Sequence, residues 1–563
     1  MRLRRLLGAA WAGVARLCGH PVVTCVITAM AGLFVYLALI VPSEVRQFTP
    51  AAFVRVPVEA ILGAAVVLVV AARARRVVAL LAGTVLGLLT ILKIIDVGFQ
   101  VTLARPFHPV LDWSLFGDAA SFVTDTAGPV GAVGAVAAAV LLAAAVLAVM
   151  TLAVRRLTGL AVRHRAVTAR TATALTVVWV ACAVADAQLV YPVPVASRSA
   201  ASLAYKEAQQ VSTSLRDRET FAREVAADRF RDTPNDQLLT ALRGKDVVFT
   251  FIESYGRDAV QNPEFASQVG AVLDDGNRRL GAAGFGARSG FLTAPTAGAG
   301  SVLSHATFLS GLWVGDSQRH RSLTSSDRMT LPSAFRRASW QTAAVMPGNT
   351  KAWPEGKFYG YDREYGAYDL GYHGPSFSWA TMPDQFTLSA FDRIMHAAPH
   401  HPPTMSEIVL VSSHSPWAPI PRMVDPAAVG DGSIYNAMAK EGDPWEVIWK
   451  DDARVRTEYR RSIEYSLNSL ISYVEQHGDD NLVLVFLGDH QPAPVVTGDG
   501  ASRDVPITIV ARDRSVLDRI SGWGWDNGLK PGPNAPVWRM DAFRDRFLTA
   551  FGPTGEQHPP PGS

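Results

Sequence analysis

The chain has 563 residues and a mass of 60.5 kDa, more than one ordinary domain holds. Only 18% of residues are charged against 49% hydrophobic, and the mean hydropathy is +0.15, which excludes a disordered scaffold and argues against a wholly soluble enzyme. The net charge of +3 is too small to mark a nucleic-acid partner, and no basic stretch interleaved with aromatics lies outside the short loops between apolar segments.

In chain order, five apolar stretches come first, at 22–41, 56–72, 77–99, 127–154 and 171–191, where a spanning helix needs roughly 20 apolar residues. MRLRR precedes the first, but that run is too long for a signal-peptide core and four more spans follow, so an uncleaved first helix is expected. All three cysteines, Cys18, Cys25 and Cys182, fall in this region, which leaves the rest of the chain without an internal disulfide or a CxxC motif. Residues 1–192 are thus expected to form a five-helix transmembrane domain.

The gaps between spans alternate in charge. Arg2, Arg4, Arg5 and Arg16 precede the first span, Arg73, Arg75 and Arg76 follow the second, and Arg155, Arg156, Arg163, Arg165 and Arg170 follow the fourth. The other gaps mix Arg46, Arg55 and Arg105 with Glu44, Asp112, Asp118 and Asp125. The positive-inside rule then puts the N-terminus in the cytoplasm and everything after about residue 193 outside a bacterial-type cell membrane. Glu59, Asp96 and Asp186 fall near outer ends of spans, and Lys93 and Asp96 can pair at i, i+3; they read as interfacial, snorkelling charges.

Residues 193–243 turn polar and read as an extracytoplasmic linker helix. In 244–555, short β-branched runs at 247–252, 342–346, 408–412, 482–487 and 507–510 alternate with helical patterns. The clearest helix is 456–477, with Tyr459, Ile463, Leu467, Leu470 and Val474 on one stripe. Doubly buried strands separated by helices predict an α/β domain with a mostly parallel sheet. The last residues, 556–563, read as a disordered tail.

Ligands in such sheets bind beyond the carboxyl ends of the strands. There the sequence places Glu253, His414, and the pair Asp489 and His490. Two carboxylates and two imidazoles without a thiolate suit Mn²⁺, Mg²⁺ or Zn²⁺. A small-residue turn, AGAG, opens a helical pattern at Ser301, where backbone N–H groups and the helix N-terminus favour an anion. His305, one turn later, reads either as helix packing or as a group that orients Ser301. His400 and His401, in APHHPP, read as an exposed loop.

A Glu at the first strand end, a hydroxyl at a helix start, a His and then Gly-Asp-His together resemble the sulfatase family of the alkaline phosphatase superfamily. SVLSHATFLSG is similar to the family signature C/S-x-P-S-R-x-x-L-x-T-G, with Ser301 at the nucleophile position, Leu303 in place of the proline and His305 in place of the arginine. The layout is most similar to membrane-bound lipoteichoic acid synthases and related phosphoglycerol transferases. That resemblance implies one divalent metal, commonly Mn²⁺, on Glu253, Ser301, Asp489 and His490, with Ser301 as nucleophile and His414 at a substrate-contacting position. Trp353 falls at the family's tryptophan, and the arginine the family carries two residues later is Glu355 here. Lys351 and Arg257 are further candidates for phosphate contact. The implied activity is a membrane-anchored, metal-dependent phosphotransferase of the cell envelope acting on a phosphoglycerol-type or other phospholipid donor, with a glycan or lipid acceptor. The alternative is a hydrolase of the same family, a phosphodiesterase, phosphatase or sulfuric ester hydrolase, using water.

Overall fold

The computed structural model describes residues 21–42, 50–103, 106–108, 112–185, 187–190, 193–197, 199–396 and 401–553. Arg2, Arg4, Arg5, Arg16, Cys18, Glu44, Arg46, Arg105, Asp186, His400 and the tail 556–563 lie outside these residues. The chain divides into two compact units, with a boundary between Arg216 and Asp217.

The first unit is built on apolar helices: α1 (Pro21–Ile40), α2 (Val58–Val69), α3 (Ala72–Leu103), α4 (Trp113–Arg163) and α5 (Arg165–Val184). Four of them are long and apolar enough to cross a membrane; α2, at 12 residues, is the short one. Helix α4 is two helices joined at a kink, because Gly128 takes a positive φ of 75° and Pro129 can start a helix but not continue one. Gly83 of α3 permits a close helix contact, since a Cβ there would sit 2.7 Å from Thr151 Cα.

The charges expected to snorkel are instead used inside the unit. Lys93 is 3% exposed and donates to the carbonyls of Ala38 and Val41, each at 2.8 Å, while Arg55 donates to Ile40 O. The C-terminal carbonyls of α1 have no helical partners, and two buried cations supply them. Asp96 accepts from Phe107 N at 3.0 Å. Glu59 accepts from Ala201 N at 3.0 Å, in the first turn of α6 (Ser199–Ala226), the helix that leads into the second unit.

The second unit is organised by a nine-stranded sheet. Its strands are β1 (Asp246–Ile252), β2 (Gly286–Thr293), β3 (Gln341–Val345), β4 (Arg363–Tyr365), β5 (Thr404–Leu410), β6 (Leu482–Gly488), β7 (Asp504–Ala511), β8 (Asp526–Asn527) and β9 (Val537–Arg539). The order is β8-β2-β7-β6-β1-β5-β3-β4, with β9 also pairing β2. From β6 to β4 all neighbours are parallel; β7 runs antiparallel to β6 and β2. All seven residues of β1 and of β6 are buried, so both sheet faces are covered. Alternation divides β1 between two cores: Val248 and Ile252 pack with α7 (Ala266–Ala282) and α10 (Asp452–His477), while Val247, Phe249 and Phe251 pack with α8 (Ser301–Ser310) and Phe547. Helix α9 (Asp384–Met395) lies on the α10 side.

Candidate metal centre and nucleophile

Strand β1 delivers Glu253 and its neighbour β6 delivers Asp489 and His490, all at parallel carboxyl ends. The three side chains are 5%, 0% and 1% exposed, and one ligand atom of each lies within 4.8 Å of the others. Sterics enforce the convergence: a Cβ on Gly488 would stand 1.9 Å from Tyr255 O, so the turn into Asp489 admits only glycine. Ser254 takes a positive φ of 57°, a costly conformation for a residue with a Cβ, and its N–H donates to Asp489 Oδ1 at 2.8 Å.

Ser301 is the first residue of α8, and Gly298 and Gly300 before it take φ of 77° and 90°. The AGAG turn therefore needs glycine at both positions. Gly298 N donates to Gln491 O at 2.8 Å, which holds this turn beside His490. Ser301 Oγ donates to Glu253 Oε2 at 3.1 Å and is 3.2 Å from His490 Nε2. His490 Nδ1 faces Gln491 O at 2.9 Å; donation there leaves Nε2 as a lone-pair donor aimed at the cluster.

Two buried carboxylates at this spacing repel one another. Burial and the Glu253 charge push Asp489 up to about 6; burial opposes protonation of His490, but the charges of Asp489 and Glu253 outweigh it and raise its pKa. Asp489 Oδ2 is buried with no hydrogen-bond partner. A divalent cation resolves both features, and three oxygens and one imidazole nitrogen suit Mn²⁺, Mg²⁺ or Zn²⁺.

His414 follows β5, the other neighbour of β1. Its ring stacks on Trp379 with centroids 3.6 Å apart, and Nδ1 faces Ser415 O. Burial lowers its pKa to about 4. The ring is therefore neutral at physiological pH, with Nε2 able to accept a hydroxyl proton. Its turn is held by Asp384, whose Oδ1 accepts from Val411 N at 2.8 Å and Ser412 N at 2.9 Å, and Ser413 Oγ donates to Glu253 O at 2.6 Å.

The remaining candidates disperse. Arg257 is committed elsewhere, to Asp504 at 2.9 Å, Gln261 at 2.7 Å and the face of Phe291, which corrects its expected phosphate contact. Lys351 is exposed. Trp353 is half-buried and stacks on Tyr359 with centroids 5.3 Å apart.

His305 stacks on Phe251 at 3.9 Å, and its Nδ1 lies 2.7 Å from Glu407 Oε1. Glu407 is fully buried in β5 and also accepts from Tyr361 OH. Glu407, Tyr361, Trp379 and Asp384 escaped the sequence reading. The one available signal was a carboxylate, Glu407, inside an otherwise apolar strand.

The sulfatase family model matches residues 245–504. The matched residues lie within the second unit. Similar solved structures include the lipoteichoic acid synthase LtaP from Listeria monocytogenes, at 13% identity over 57% of this chain and 75% of that one, TM-score 0.37. The zinc complex of the C-terminal periplasmic domain of EcEptC from Escherichia coli is 12% identical over 55% of this chain and 82% of that one, TM-score 0.36. The Streptococcus pyogenes phosphoglycerol transferase GacH in complex with sn-glycerol-1-phosphate is 11% identical over 59% of this chain and 90% of that one, TM-score 0.34. No curated protein matches the chain.

Proposed function

We propose that the protein is a membrane-anchored, extracytoplasmic phosphotransferase that uses Ser301 on a phosphoglycerol-type or related phospholipid donor in cell-envelope polymer synthesis or modification. The observation that carries this reading is the approach of Ser301 Oγ to both Glu253 Oε2 and His490 Nε2, at 3.1 and 3.2 Å. A divalent metal on Glu253, Ser301, Asp489 and His490, Mn²⁺ by the resemblance, would acidify the Ser301 hydroxyl and polarise a phosphoryl oxygen. Ser301 Oγ loses its proton to solvent and forms the new bond to phosphorus as the ester bond to diacylglycerol breaks, and the released alkoxide takes a proton from solvent. The acceptor hydroxyl then gives its proton to His414 Nε2 and attacks the phosphoserine; the bond from phosphorus to Ser301 Oγ breaks, Oγ takes a proton from solvent, and His414 returns its proton to solvent. Trp353 would stack against glycerol or sugar, and Lys351 would meet the phosphate at the rim.

The orientation rests on arginine asymmetry. Helix α2 is about 18 Å long, and the extended residues 55–57 before it add about 10 Å, close to the roughly 30 Å hydrocarbon thickness that a fifth crossing requires.

The test incubates the full-length chain in detergent with Mn²⁺ and phosphatidylglycerol labelled in its headgroup. Diacylglycerol with a labelled polymer or lipid supports the transferase, and EDTA should stop the reaction with Mn²⁺ restoring it. Free glycerophosphate or phosphate as the sole labelled product assigns the domain to the water-using hydrolases, and full activity in chelator removes the metal from the mechanism.

A further inference from the structure

A second group of metal-type donors lies at the opposite end of the sheet. Asp246 opens β1, seven residues before Glu253, so the two sites are separated by about 20 Å of strand. His396 follows α9, His401 precedes β5, and one donor atom from each of Asp246, His396 and His401 lies within 4.8 Å of the others.

Ion pairing accounts for only part of this cluster. Asp392 takes His396 Nδ1 at 3.3 Å on one oxygen and His477 Nδ1 at 3.0 Å on the other. Asp246 Oδ1 accepts from Thr404 N at 2.8 Å and Thr404 Oγ1 at 2.9 Å, while His401 Nδ1 stands off from it at 3.8 Å and faces Pro402 O at 3.0 Å. The imidazoles of His396 and His401 stack with centroids 4.9 Å apart. His396 Nε2 is left buried and without a partner. A buried imidazole nitrogen costs free energy unless something satisfies it. No hydrogen-bond donor among the described residues does so, whereas a cation would.

We propose that Asp246, His396 and His401 bind a structural Zn²⁺, distinct from the catalytic metal. Two imidazole nitrogens and one carboxylate oxygen are a zinc donor set, with water for the fourth position. Ligand atoms around tetrahedral zinc stand about 3.4 Å apart for bonds of about 2.05 Å, so donors within 4.8 Å of one another close by about 1.4 Å at most on binding. Asp392 orients His396 through its far nitrogen, as outer-shell carboxylates do for zinc-bound histidines. The ion clamps the end of α9 and the entry to β5 onto the start of β1, leaving the catalytic rim untouched.

The test is zinc uptake by the full-length chain in detergent, stripped with chelator and dialysed against Zn²⁺, compared with the His396→Ala/His401→Ala double variant. The expected result is one equivalent fewer in the variant, with a Zn²⁺-dependent rise in thermal midpoint that the variant lacks. Equal uptake in the two proteins overturns the proposal. If the double variant fails to fold, Asp392→Asn, which keeps an acceptor for one histidine, should bind the same equivalent roughly 10–100-fold more weakly. Unchanged affinity in that variant overturns the proposal equally.

Discussion

Among the described contacts Ser301 carries the hydroxyl that meets both Glu253 and His490, whereas Ser254 Oγ meets Glu253 alone, so Ser301→Ala should abolish turnover while far-ultraviolet circular dichroism stays at the wild-type signal. Wild-type rates in that variant would remove the serine from the reaction. His414 makes a second prediction through its pKa of about 4, held below the usual 6.5 by burial. The unfolded chain takes up a proton below pH 6.5 that the folded ring refuses until about pH 4, so this residue's contribution to stability is complete above 6.5 and falls away as pH drops between those values. His414→Gln carries no titrating ring, and its thermal midpoint should fall less than the wild type's between pH 7 and 4.5, read by differential scanning calorimetry. Glu253, Ser301, Asp489 and His490 were legible because each stands where a strand ends or a helix starts, a position that sequence pattern locates. Glu407 was not, because its partners His305 and Tyr361 are 102 and 46 residues away and meet it only in the folded core.

Among the elements, the five strands with continuous apolar runs were readable, since burial on both faces leaves little room for polar side chains. Strand β2 was not: GARSGFLT carries two glycines, an arginine and a serine. Gly290 is there because a Cβ would come within 2.9 Å of the Trp525 indole nitrogen, a packing demand invisible to β-propensity. The central strand β1 should be the most sensitive to truncation. Phe249 is fully buried and meets Phe308, Phe335 and Phe547 at centroid distances of 5.9, 6.1 and 5.5 Å. Phe249→Ala should cost about 3–5 kcal/mol of domain stability, measured by denaturant unfolding. A loss under about 1 kcal/mol would show that the core refills the cavity.

For the whole molecule, the proposed orientation predicts that a membrane-impermeant amine reagent applied to intact cells labels the exposed Lys351. Labelling only in inverted vesicles would reverse the topology. Sequence alone determined that the chain has an apolar helical part and a following α/β part, because hydrophobic run length and periodicity are local properties that the solvent, lipid or water, reads directly. It also singled out the four residues of the candidate metal cluster, Glu253, Asp489 and His490 through the rule that strand ends carry the chemistry of such sheets and Ser301 through its place at a helix start. Tertiary structure decided what depends on distant segments meeting: that Lys93 caps α1 and does not snorkel, that Arg257 belongs to Asp504, that His414 is neutral, and that Asp246 finds His396 and His401. Each is a pairing between groups far apart in the chain, and its free energy exists only once packing has removed the water that would otherwise satisfy both partners.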